Sequence, residues 1–97
     1  MSSIFIDNAT GSTLYLYPGE IALIDPPSQI DSGKSAEIRY HPTKKSDCIY
    51  GDKNGSSFFI GVGGEDGNSI HNINGLLVRE EGSDESGQQT YKITRYS

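Results

Sequence analysis

The stretch Ile4-Phe5-Ile6-Asp7-Asn8-Ala9-Thr10-Gly11-Ser12-Thr13-Leu14-Tyr15-Leu16-Tyr17 decides the fold. It contains two short alternating runs joined by a turn-rich segment. Ile4 and Ile6 share one face of an extended chain, and Leu14 and Leu16 do the same in the second run. Successive side chains of a strand point to opposite faces, so each run buries one face and wets the other. Asn8, Thr10, Gly11 and Ser12 supply the bend between them. The pattern predicts an opening β-hairpin, and with it an all-β domain.

The rest of the chain repeats this grammar. Glycine and proline recur so often that the longest stretches free of both, residues 1–10 and 88–97, are ten residues each. Both alternate with period two, which leaves little room for helix. After the opening pair, a third strand is expected over residues 20–24, stopped by Asp25-Pro26-Pro27 because proline cannot donate to a ladder. Ile30 then leads into an Asp31-Ser32-Gly33 turn. A fourth strand covers residues 35–41, with Ala36, Ile38 and Tyr40 on one face. A fifth, Asp47-Cys48-Ile49-Tyr50, turns at Gly51-Asp52-Lys53-Asn54-Gly55, where Asn-Gly is a strong hairpin signal. The sixth, residues 56–62, carries bulk on both faces and reads as central. A seventh runs from about Ile73 to Arg79, with Asn74-Gly75 as a candidate break. Residues 80–89 read as a polar connection to an eighth strand over residues 90–96. About eight short strands at this spacing predict a two-sheet, mostly antiparallel β-sandwich.

At 97 residues the chain supports one domain, spanning 1–97. Only 33% of residues are hydrophobic and there is no tryptophan, so the core must be thin. Thirteen acidic residues against eight basic give a formal charge of −5. That balance disfavours phosphate backbones and purely electrostatic docking on anionic lipid. One cysteine, Cys48, rules out an intrachain disulfide. The start Met1-Ser2-Ser3-Ile4 has neither a basic nor an apolar run. No ordinary signal peptide is read there, and the expected location is cytoplasmic, or outside the cell by a non-classical route.

Candidate chemistry is sparse. Cys48 with His41 or His71 is the one thiol–base combination, and a free cysteine on a strand is more often a small apolar residue. The clusters at Asp52-Lys53-Asn54-Gly55-Ser56 and Glu65-Asp66-Gly67-Asn68 offer oxygen ligands of the kind calcium takes, but the same residues make tight turns. No catalytic residue, metal ligand or cofactor is assigned. The six tyrosines are the more informative group. Tyr40 and Tyr91 read as core. Tyr15 and Tyr17 lie opposite Leu14 and Leu16, and with Tyr50 and Phe59 they are the contact residues expected by type, since aromatics suit lipid interfaces and protein contacts.

Residues 6–16 resemble the opening of aegerolysins, in which an Asn-x-Thr/Ser-Gly segment joins two strands. Pro27-Ser28-Gln29-Ile30-Asp31-Ser32-Gly33-Lys34-Ser35-Ala36 resembles that family's next landmark, and residues 51–60 and Thr90-Tyr91-Lys92-Ile93 resemble its glycine-bearing hairpin and closing strand. Actinoporin-like sandwiches begin similarly. The resemblance implies a small acidic β-sandwich that binds membrane lipid. It also implies a toxin-like role beside a larger pore-forming partner, insecticidal in some bacterial members. The chain is shorter than usual for that family and lacks the tryptophans often found at its lipid face. The leading expectation is non-enzymatic binding of a membrane lipid or surface receptor. A soluble protein-binding module (an inhibitor or effector) and a calcium-stabilised structural domain are the alternatives.

Overall fold

A computed structural model of the protein describes residues 2–19, 23–65, 67–83 and 88–95. These residues form nine strands and no helix: β1 (Ser2–Asn8), β2 (Leu14–Leu16), β3 (Gln29–Ile30), β4 (Ser35–Tyr40), β5 (Ser46–Gly51), β6 (Ser57–Val62), β7 (Ser69–Asn74), β8 (Leu76–Ser83) and β9 (Gln89–Arg95). They make two sheets. The first has the order β4-β1-β9-β8, the second β3-β2-β5-β6-β7. All pairings are antiparallel except β1 with β9. The expected two-sheet sandwich is therefore present. The shortest dimension of the molecule is 21 Å, as two sheets about 10 Å apart with side chains on their outer faces require.

The period-two reading of the core holds for β1, β4 and β9. From the first sheet, Ile4, Ile6, Ile38, Tyr40, Leu76, Tyr91 and Ile93 point inward. From the second come Leu14, Ile30, Cys48, Tyr50, Phe58, Ile60 and Val62. Tyr40 and Tyr91 keep their hydroxyls at the rim: Asn68 Nδ2 donates to Tyr40 at 3.1 Å, and the Tyr91 hydroxyl donates to Gln89 Oε1 at 2.9 Å.

Connectivity departs from the local reading in three places. First, β1 and β2 are not a hairpin: they lie in opposite sheets. Residues 9–13 carry the chain across the core edge, with Gly11 at φ 86°. Two alternating runs around a bend are equally compatible with a hairpin and with an arch. What selects the arch is Asn8, which is fully buried and spends its amide on the crossing. Its Nδ2 donates to the carbonyls of Ser12 (2.8 Å) and Ile30 (2.7 Å), and its Oδ1 accepts from the Thr10 N–H and hydroxyl. Second, the expected seventh strand is two strands in different sheets, switching at Gly75 (φ 73°), and β8 continues to Ser83 through residues expected to be a connection. Third, the expected strand over residues 20–24 lies mostly outside the described residues. Within them, Ile24 forms an isolated bridge to Arg39, and the strand beside β2 is the two-residue β3.

Candidate functional site

The register assigns every outward residue of the second sheet. The Tyr17 N–H donates to the Ile49 carbonyl at 2.9 Å, which sets Tyr17 beside Ile49. Ile49 pairs with Phe59, and Phe59 with His71. Directly opposed residues of a ladder share a face, so Tyr17, Ile49, Phe59 and His71 form one row across the outside of the sheet. The Phe59 and His71 rings stack, with centroids 4.9 Å apart and planes 25° from parallel. Tyr15 sits in the next row opposite Gly51, under the Lys53 ammonium, which is 5.1 Å from the ring centroid.

The platform is flat because of two glycines. A Cβ on Gly51 would collide with the Tyr17 phenol, and one on Gly61 would come within 2.8 Å of the Phe59 ring. Both rings therefore lie along the sheet in space that any larger residue would fill. Tyr17, Pro18, Asp47, Ile49 and Phe59 border a shallow depression on this face. On the outer face of the first sheet the row Ser35, Asp7, Lys92 and Arg79 is polar or charged throughout, and the apolar residues there, Phe5 and Leu77, stand opposite Glu37 and Thr90 and opposite Thr94 rather than opposite one another.

Three of the four expected contact residues, Tyr15, Tyr17 and Phe59, thus share the outer face of the second sheet. Tyr50 does not. It points inward with no exposed surface, stacks on Phe58 at 6.1 Å and donates its hydroxyl to the Pro27 carbonyl at 2.6 Å. Burial, then the nearby Cys48, push its phenol well above the usual range. Tyr50 is a core residue. Ile49 takes its place on the surface, and His71 joins it. Residues 47–50 could not show this alone, because Ile49 and Tyr50 are both apolar and either parity buries one. The partner strand gives no signal either, because the residues opposite Tyr50 and Ile49 are Phe58 and Phe59, both aromatic.

The thiol–base combination is not assembled. Cys48 faces the core, and its row partners Ile60 and Ile70 do too, whereas His71 lies on the opposite face of the same sheet. Burial, with a smaller contribution from Asp47, pushes the Cys48 thiol up to about 12, which leaves no thiolate for attack near neutral pH. His41 is exposed beyond the end of β4.

The acidic turns are also occupied. Asp52 Oδ1 accepts from the Asn54 and Ser56 N–H groups (2.9 and 3.0 Å), and Oδ2 accepts from Arg95 Nη2 at 2.9 Å. Burial alone would raise this carboxyl's pKa. The hydrogen bonds from Arg95, Ser56 and Asn54 and the guanidinium charge outweigh burial and hold it below the ordinary carboxylate range. In the second cluster, Asn68 Oδ1 accepts from Gly63 N–H, and Asp66 lies outside the described residues. Among the described residues no group of three or more metal-ligating side chains comes together.

The sequence matches no protein-family model and no curated protein significantly. The likeness to aegerolysins therefore rests on the quoted residues alone.

Proposed function

We propose that this chain is a non-enzymatic recognition domain that binds a membrane lipid or surface receptor through the outer face of its second sheet. The observation that carries the reading is the row Tyr17–Ile49–Phe59–His71. An outward sheet face is normally mostly polar, and on the other sheet Phe5 and Leu77 stand apart among polar partners. Contiguous aromatic and aliphatic side chains on such a face favour an apolar partner. Tyrosine suits a lipid headgroup boundary because its ring is apolar and its hydroxyl is wet. The likeness to aegerolysins supports a toxin-like component acting beside a larger pore-forming protein.

With a formal charge of −5, the chain gains nothing from anionic lipid. Flotation with vesicles tests the reading. Binding is expected on neutral or zwitterionic membranes bearing one headgroup, and it persists in moderate salt. A soluble protein-binding module is the second reading, and the flatness of the Tyr17 and Phe59 rings favours it, because a flat face matches a protein surface. Absence of binding to vesicles of every composition would select that second reading.

A further inference from the structure

The four sheet edges of this sandwich are guarded unequally. An open edge presents unpaired backbone groups to any other strand, and proteins blunt it with charge, brevity, bulges or cover. Edge β3 is two residues long. Edge β4 carries Glu37 and Arg39 and is bridged by Ile24. Edge β8 carries Arg79, Glu80 and Glu81, and its register shifts between Glu80 and Ser83. Edge β7 has none of these devices along Ser69-Ile70-His71-Asn72. It has no Lys, Arg, Asp, Glu or Pro, and its one register shift falls past this stretch, at Ile73, where the pairing steps from Asn72 to Asn74.

The ladder says which of its groups face outward. In an antiparallel strand, successive residues turn their N–H and C=O to alternate sides. Ile49 faces β2 through its bond from Tyr17, so Cys48 and Tyr50 face β6. Their partners Ile60 and Phe58 face β5, which turns Phe59 and Gly61 toward β7. Their partners His71 and Ser69 face back toward β6. The backbone groups of Ile70 and Asn72 are left pointing away from the sheet.

We propose that β7 pairs antiparallel with the β7 of a second copy, about a two-fold axis at His71. Ile70 of one copy then opposes Asn72 of the other, and each such pair exchanges two N–H···O bonds, giving four in all. An isologous contact of this kind closes on itself and stops at two copies. The occupant follows from charge. Two molecules of net charge −5 repel over most of their surface, and β7 is the one edge strand longer than two residues where they meet without apposing formal charges. The proposal does not depend on what the aromatic face binds. A contact of one strand pair is smaller than a standard interface, so the association is weak, roughly micromolar or weaker.

Sedimentation equilibrium of the full chain up to ~1 mM, the weak end of the affinity scale, tests this. The expected mass rises from 10.5 kDa toward double and no further. His71 is in register with Phe59 on the outer face, and the axis sets it opposite His71 of the other copy. His71→Lys therefore apposes like charges and should weaken association at least tenfold, whereas a 1:1 mixture of His71→Lys and His71→Glu chains apposes opposite charges and should restore it. Hydrogen exchange on the unaltered protein gives a readout that needs no variant. The Ile70 and Asn72 amides should slow as concentration rises, while those of Ser69 and His71, already bonded to β6, do not change. A mass that stays monomeric overturns the proposal. So does a His71→Lys variant that associates like the parent, a Lys/Glu mixture no better than His71→Lys alone, or exchange at Ile70 and Asn72 that ignores concentration.

Discussion

Asn8 at the end of β1 donates its side-chain N–H to the carbonyl of Ile30 in β3 at 2.7 Å, joining the two sheets through a fully buried amide. The same side chain bonds Ser12 and Thr10, so the chain's first crossing and its tie to β3 share one residue. Asn8→Ala would leave the Thr10 N–H without its acceptor and take one donor each from the Ser12 and Ile30 carbonyls, which keep the Thr10 hydroxyl and the ladder partner Leu14. A loss of about 1–3 kcal/mol is expected, the cost of one buried group left without a partner. Asn8→Asp should be worse at neutral pH, because an anion would face two carbonyl oxygens. Its penalty should shrink in acid as the carboxyl takes up a proton. Chemical denaturation of both variants at pH 7 and pH 4 checks the order; Asp tolerated better than Ala at pH 7 would contradict it.

Arg95 is the second clasp. From β9 it donates to the Thr10 carbonyl, to Ser12 Oγ and to buried Asp52, tying the corner to the β5–β6 turn in the other sheet. Asp52 is 2% exposed and Arg95 37%, so removing the cation leaves the more costly orphan. Arg95→Ala should lose about 2 kcal/mol, below the range for fully buried pairs because solvent screens this guanidinium. Asp52→Asn should lose less, because the amide oxygen still accepts from the turn. The folded carboxyl titrates below its unfolded value, so its contribution is present above about pH 4 and is lost as pH falls through the lower folded value. The gap between wild type and Arg95→Ala in thermal melts should therefore narrow at pH 3. An equal gap at pH 3 and pH 7 would refute this account.

Cys48 has the opposite sign. Its thiol titrates near 12 in the folded protein against an ordinary value of 9.0. The stability this contributes is complete below about pH 9 and drains away as pH rises toward about 12. Alkylation by iodoacetamide at pH 8 should be at least ~100-fold slower in the native than in the urea-unfolded protein, since the thiolate is the reactive form. Comparable rates would show that the thiol is not held in the core.

The aromatic face predicts a separation of binding from folding. Tyr17→Ala with Phe59→Ala should weaken vesicle binding at least tenfold, about 1.4 kcal/mol, with little change in Tm, because both rings lie on the surface over glycines. Tyr50→Ala should instead cost about 3–5 kcal/mol, the usual price of deleting a buried aromatic. Equal effects of the two changes on stability would mean that the platform is structural.

The sequence by itself determined the class of fold, most of the inward set of side chains and most of the strand positions. These depend on local physics: period-two alternation, proline and glycine punctuation, and the Asn54-Gly55 turn. Ile4, Ile6, Leu14, Ile38 and Tyr91 are buried as their alternation requires. Only the tertiary structure decided which sheet each strand joins. The runs around Asn8 and around Gly75 each look like one local unit, yet each is divided between the two sheets. The choice is made by partners far away in sequence, Ile30 for Asn8 and Ser56 beside Gly75. The binding face was legible only in part for the same reason. Residue type singled out Tyr15, Tyr17 and Phe59, but whether Ile49 or Tyr50 faces outward depends on cross-strand register, and register is a property of pairs of strands.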